Sequence, residues 1–148
     1  MKKVICLAVI VCGILTCLNQ GCSDDTDTGA ITASDLVGNW MFVSLEFNGT
    51  TTTDCDSALN KDYDLVTLSL KNVSTTSMTL YTSCTDEGTL WEQTFGYTIS
   101  NNSISLSNGV VFHIEDTSTK TTLKLKLSDP GLAKTYPEGG IYTLNKQP

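Results

Sequence analysis

The chain has 148 residues, with nine lysines, no arginine, sixteen acidic residues and one histidine, for a formal net charge of −7. That acidity, with no Lys/Arg cluster, excludes the electrostatic footprint of a nucleic-acid-binding protein. The lack of arginine also removes the side chain best suited to bidentate capture of phosphate or carboxylate.

Lys2 and Lys3 precede an uncharged run over residues 4–18, VICLAVIVCGILTCL. A membrane-spanning helix takes ~20 apolar residues. This run is short for a span and fits the apolar core of a secretory signal peptide. A buried helix of the mature fold is the alternative, but a run apolar all round has no polar face to show to water. The run ends in LTCLNQGCSDD, and cleavage is expected between Gly21 and Cys22, giving a signal peptide over 1–21. Leu18 and Gly21 ahead of Cys22 resemble the lipobox of bacterial lipoproteins, with Asn19 departing from the usual leucine. The resemblance implies diacylation of the Cys22 thiol by palmitate-type chains and a lipid anchor in the outer membrane. Secretion with Cys22 as an ordinary thiol is the competing reading. Each buried methylene contributes ~0.8 kcal/mol and one acyl chain holds only marginally, so two or three chains on Cys22 would make a durable anchor. Ser23-Asp24-Asp25 resembles the surface-export signal of Bacteroidetes lipoproteins, which implies display on the cell surface. A periplasm-facing anchor is the other reading.

Residues 22–148 keep 127 residues, seven lysines and all sixteen acids, enough for one domain with a modest core. Residues 22–34 are polar and acidic and read as a disordered tether, so the fold is expected over 35–148. Of six cysteines, Cys6, Cys12 and Cys17 leave with the signal peptide and Cys22 is taken by lipid, leaving Cys55 and Cys84. In an exported protein such an even pair reads as a disulfide. On the chain-entropy model, a loop of thirty residues gives roughly 3–4 kcal/mol of stabilisation. Zinc is the rival reading, but two thiols with no nearby histidine are too few ligands.

From residue 35 onward apolar and polar residues alternate with period two, the strand signature, and no amphipathic helix is found. Residues 36–47 form the longest strand candidate, with Met41, Val43, Leu45 and Phe47 on its second face. Residues 54–64 are a polar connection. Val66, Leu68 and Leu70 then share a face, followed by Met78 with Leu80, Phe95 with Tyr97 and Ile99, and Ile104 with Leu106. Asn101-Asn102 and Asn108-Gly109 mark tight turns. Val110, Phe112 and Ile114 come next, then Leu123, Leu125 and Leu127 opposite Lys124 and Lys126. After Asp129-Pro130-Gly131 and Gly139-Gly140, Tyr142 and Leu144 close the pattern. About eight strands in hairpin order, each with one apolar face, must fold over as a sandwich or a closed barrel. Closure also removes edge strands, which otherwise recruit other chains. Eight strands is the size at which side chains fill the interior or leave room for one small ligand. The expected fold is all-β, a single up-and-down antiparallel barrel with one disulfide.

Gly38-x-Trp40, leading into the first strand, resembles the first motif of lipocalins. Residues 36–146 are similar to the lipocalin-like domains of Bacteroidetes lipoproteins on four features: Gly38/Trp40, the Cys55/Cys84 pair, the YTISNNSISL hairpin over 97–106 and the closing YTL over 142–144. The resemblance implies a barrel whose closed end is plugged by Gly38 and Trp40, with ligand access at the other end, near the first long loop. The arginine that covers this tryptophan in lipocalins has no counterpart here; Lys146 is the basic residue on the last strand that could substitute. Phe42, Leu68, Leu80, Trp91, Phe95, Tyr97, Phe112, Leu125 and Tyr142 fall at strand period and serve as core or as ligand lining, with Trp91 near the mouth.

His113 is the lone histidine, on the face with Val111 and Glu115, and reads as an outward or rim residue. No Gly-x-Ser-x-Gly occurs, and nothing places Glu87 with Glu92, or Glu115 with Asp116, at the separation a glycosidase pair needs. No catalytic residue and no cofactor is expected. Asp54, Asp56, Asp62 and Asp64 crowd one connection, but an EF-hand loop begun at Asp54 fails at Leu59 and Leu65. A solvated loop without metal is the expectation. Asp56-Ser57-Ala58 resembles the short O-glycosylation motif of Bacteroides proteins and flags Ser57. Together these readings predict a non-enzymatic binding module for a small apolar or amphipathic ligand. The alternative is a filled barrel that acts through its loops or outer face on a protein partner, as an interaction or inhibitor module.

Overall fold

Thr32 starts the first element. In this computed structural model, which describes residues 30–55, 63, 65–82, 91–131 and 136–148, the Asp35 N–H donates to Thr32 Oγ1 at 3.4 Å and the Asp35 carboxylate takes the Thr32 N–H at 3.0 Å. This reciprocal cap opens the one-turn helix α1 (Ala33–Leu36). Ile31, just ahead of it, is buried.

Nine strands follow among the described residues: β1 (Gly38–Phe47), β2 (Thr50–Thr52), β3 (Ser69–Val73), β4 (Ser77–Thr82), β5 (Trp91–Ser100), β6 (Ser103–Leu106), β7 (Val111–Ile114), β8 (Thr122–Asp129) and β9 (Ile141–Lys146). Every pairing is antiparallel, in the order β1–β3–β4–β5–β6–β7–β8–β9, and β9 returns to β1. Eight strands thus close a barrel, and β2 is an additional strand laid on β1. On one edge, β1 pairs with β3 through Gly38 and Trp40 and with β2 through Leu45, Glu46 and Phe47. Its other edge belongs to β9.

Strand β2 was not expected, because residues 54–64 read as the connection that follows strand one. The turn that makes it is Asn48-Gly49, with φ of 50° and 76°. Asn101-Asn102 does the same between β5 and β6, with φ of 50° and 56°. Both residues of such a turn sit in the left-handed region, where its twist matches that of the flanking strands. Between β6 and β7 the chain uses a longer turn: Gly109, at φ 90°, donates to Leu106 O at 3.0 Å.

Two expectations about faces are corrected. The register of β1 against β9 shifts between Phe42, opposite Leu144, and Ser44, opposite Thr143, so Val43 is an extra residue. Such a bulge turns the rest of the strand over. Leu45 is fully buried and Phe47 packs on the core, whereas Met41 and Val43 stay outside, 57% and 39% exposed. The predicted outer row of four apolar residues is therefore a pair. Val66 and Leu68 also lie outside any strand. Leu65, Val66, Thr67 and Leu68 are all buried, so period two begins only at Ser69.

Candidate functional site

The two ends of the barrel differ. At the closed end Trp40 is 1% exposed and its Nε1 donates to Leu36 O at 2.7 Å. Lys146 reaches under the barrel, where its Nζ donates to Asp35 O at 2.8 Å and stands 5.2 Å from the centre of the Trp40 ring. A cation over an indole face is attractive, and Lys146 is the last-strand residue that was expected to cover Trp40. The Thr32 hydroxyl and N–H, helped by Lys120 and Lys146, hold the Asp35 carboxyl below its ordinary range. Tyr97 belongs to this end too. Its hydroxyl donates to Ser74 O, in the β3–β4 turn, at 2.8 Å, and burial raises its pKa. It therefore lies away from the mouth.

Above Trp40 the barrel is occupied by its own side chains. Leu68, Leu80, Leu125, Phe112 and Tyr142 are each 1% exposed or less. The Phe112 and Tyr142 rings meet edge to face with centroids 6.3 Å apart. Tyr142 donates its hydroxyl to Leu65 O, and Thr67 and Thr82 share a hydrogen bond of 2.9 Å. These bonds hold residues 65–68 inside the wall. Burial pushes the Tyr142 phenol well above its ordinary value, and Tyr136 adds to the shift. Strand periodicity read Val66 and Leu68 as one face of a strand and gave no sign that Leu65 and Thr67 are buried beside them.

At the other end three rings are only partly buried among the described residues: Trp91, which stands 6.5 Å from the buried Phe95, and Phe47, which meets Tyr63 edge-on at 5.2 Å. Gln93 shares the face of Trp91 and Phe95 but is exposed. Phe42 is partly buried lower in the wall, on β1. The structure thus brings Trp91, Phe95 and Gln93 together at the rim and sinks Leu68, Leu80, Leu125, Phe112 and Tyr142 into the core. Gln93 drew no notice in the sequence, since a glutamine on an apolar face reads as an interruption.

Outside the barrel, a groove of about 340 Å³ follows the β1–β3 seam, lined by Trp40, Met41, Leu70, Lys71 and Tyr81 among others. Lys71 Nζ sits 3.3 Å over the Tyr81 ring and 3.8 Å from Glu92. His113 is on the outer face of β7, opposite Ser103 and Lys126. Cys22, Ser57, Cys84, Asp56, Asp62 and Asp64 lie outside the described residues. Cys55 follows β2, but its expected partner Cys84 is not described, so the pairing stays a proposal. Asp54 O accepts from Thr52 Oγ1 at 3.4 Å, and no metal-binding group of three acids, histidines or cysteines exists among the described residues.

The fold is similar to that of a lipocalin-like protein from Bacteroides uniformis, with a TM-score of 0.50 and 16% identity over 76% of this chain and 99% of that one. An uncharacterized protein from Bacteroides eggerthii gives a TM-score of 0.47 and 14% identity over 75% and 98%. No protein-family model and no curated protein matches the chain. At 16% identity the likeness is one of fold.

Proposed function

We propose that this lipocalin-like barrel is a non-enzymatic binding module that holds a small apolar or amphipathic molecule at its open end. The observation that carries the reading is the contrast between the ends. Trp40, Leu36 and Lys146 seal one of them with hydrogen bonds. The other presents the partly buried Trp91 above the buried Phe95, with exposed Gln93 on the same face. An apolar wall with one placed polar group suits a ligand that has an apolar body and a polar end. Side chains fill the barrel below, so the ligand sits shallow, in the rim. The lipobox-like sequence supports export, with an acylated Cys22 anchored in the outer membrane and the domain displayed at the cell surface. The oxidising compartment reached that way supports a Cys55–Cys84 disulfide. The acidic surface supports a partner other than nucleic acid.

A second reading has one observation in its favour. The groove beside exposed Met41 is apolar and lies outside the barrel, where a protein partner could use it. Native mass spectrometry of the processed chain, incubated with bacterial lipid and metabolite extract, separates the two. A retained small-molecule adduct that is lost in Trp91→Ala supports the rim site. A clean apo mass refutes it and moves the search to protein partners of the outer groove.

A further inference from the structure

We infer that the free edge of β5 is a self-pairing site, through which two copies of this chain join antiparallel about a two-fold axis at Gln93. The inference does not rest on the ligand reading.

The backbone hydrogen bonds of β5 divide between its two sides. Tyr97 N donates to Thr76 O at 3.0 Å, so odd-numbered residues of β5 turn their backbone groups toward β4. Ser107 N donates to Gly96 O at 2.9 Å, so even-numbered residues turn theirs toward β6. β6 pairs with β5 only from Tyr97 to Ser100. Beyond Gly96, therefore, the N–H and C=O of Thr94 and Glu92 point to a side with no strand among the described residues. Both residues are exposed. The edge has two limits: Ser107 occupies the place opposite Gly96, and β5 begins at Trp91.

Those limits fit a second copy of the same strand and fix its register. An incoming strand has five residues to pair with, 91–95, and the same five residues of a second copy fill that length without meeting either Ser107. Centred on Gln93, Glu92 of each copy faces Thr94 of the other. Both are the residues whose backbone groups point outward, so each such pair closes two N–H···O bonds and the interface closes four. Trp91 then stands opposite Phe95 on the inner face, an aromatic pair of the kind that stabilises sheets. Centring on Glu92 would set two carboxylates face to face and close one hydrogen-bonded pair. Centring on Thr94 would drive Gly96 against Glu92, where Ser107 already sits. Only the Gln93 register satisfies parity, length and charge together.

Five residues a side bury far less than the ~1,000 Å² of a stable dimer, so the association is weak and exchanging in solution. Two copies tethered to one membrane, as proposed above, would raise their effective concentration and favour pairing.

The test is sedimentation of the processed chain over a concentration series, with cross-linking to locate the contact. Gln93→Cys places the two thiols on a non-hydrogen-bonded antiparallel pair, where Cα atoms stand ~4.5 Å apart, within disulfide reach. The expected results are a sedimentation coefficient that rises with concentration and a 93–93 bridge in peptide mapping. Thr98→Cys, where β6 already covers the edge, should give no such bridge. Glu92→Pro removes an N–H that faces away from β4, so the fold survives by circular dichroism while both signals disappear. A chain that stays monomeric throughout and forms no 93–93 bridge would overturn the inference. So would a dimer that persists in Glu92→Pro.

Discussion

Replacing Tyr142 by phenylalanine probes the centre of the barrel at two pH ranges. Its hydroxyl donates to Leu65 O, and Tyr142 is fully buried. Phenylalanine keeps the ring and its contact with Phe112 but leaves the Leu65 carbonyl buried without that donor. An unsatisfied buried acceptor costs ~1–3 kcal/mol, so Tyr142→Phe should lower the urea midpoint at neutral pH by that much stability with an unchanged m-value. The second effect appears in alkali. Burial raises the folded-state pKa of Tyr142 well above its ordinary 10.0. Above pH 10 the unfolded chain releases this proton while the folded chain keeps it, so the unfolded state binds fewer protons and stability falls as pH rises. The stabilisation is complete below pH 10 and is lost at ~1.4 kcal/mol per pH unit above it, until the folded phenol itself ionises. Tyr97, also raised, adds a smaller slope of the same sign. Urea titrations from pH 7 to 11 on the wild type and Tyr142→Phe, with tyrosinate absorbance as a second signal, measure both effects. If the variant loses stability above pH 10 as steeply as the wild type, the phenol is not protected in the folded state and the reasoning is wrong. Equal stability at pH 7 would show that the hydrogen bond contributes nothing net.

Leu45→Ala should cost ~2–5 kcal/mol because the bulge at Val43 turns Leu45 into the core, while Met41→Ser should stay within ~0.5 kcal/mol; thermal denaturation of the pair decides whether the strand turns over. Gly131→Ala should destabilise by more than 1 kcal/mol, since φ is +62° and the added Cβ would stand 3.0 Å from the Gly109 and Val110 backbone; equal melting temperatures would refute that contact. Thr32→Ala should cost about 1 kcal/mol through the lost cap. It should also blunt the acid sensitivity of the protein: the Asp35 pKa is lowered in the fold, so its contribution is present above 3.8 and is lost as pH falls through the lower folded value. Acid titration of the two chains checks the sign.

The chain order of the strands and the Asn-Asn turn were legible from local chemistry, and the role of Trp40 from the resemblance of Gly38-x-Trp40 to the first lipocalin motif. Alternation of apolar residues and turn residues with positive φ act over a few residues and need no partner to be seen. Asn48-Gly49 carries the same turn signal ahead of β2, but the three-residue strand that follows, Thr50–Thr52, has no apolar alternation. Three features were decided by the tertiary structure alone. The bulge at Val43 depends on the register of β1 against β9, strands nearly a hundred residues apart, and a slip of one residue is invisible in a segment apolar on both faces. The burial of residues 65–68 is fixed by Tyr142 and Thr82, which reach them from distant strands. The stretch of β5 beyond Gly96, which no strand among the described residues pairs on the β6 side, follows from unequal strand lengths around the barrel. The sequence determined which residues form strands and which faces are apolar, because those properties belong to each residue and its neighbours. Which side of each strand faces inward, and which edge stays open, belong to pairings across the whole chain, and only the folded barrel contains them.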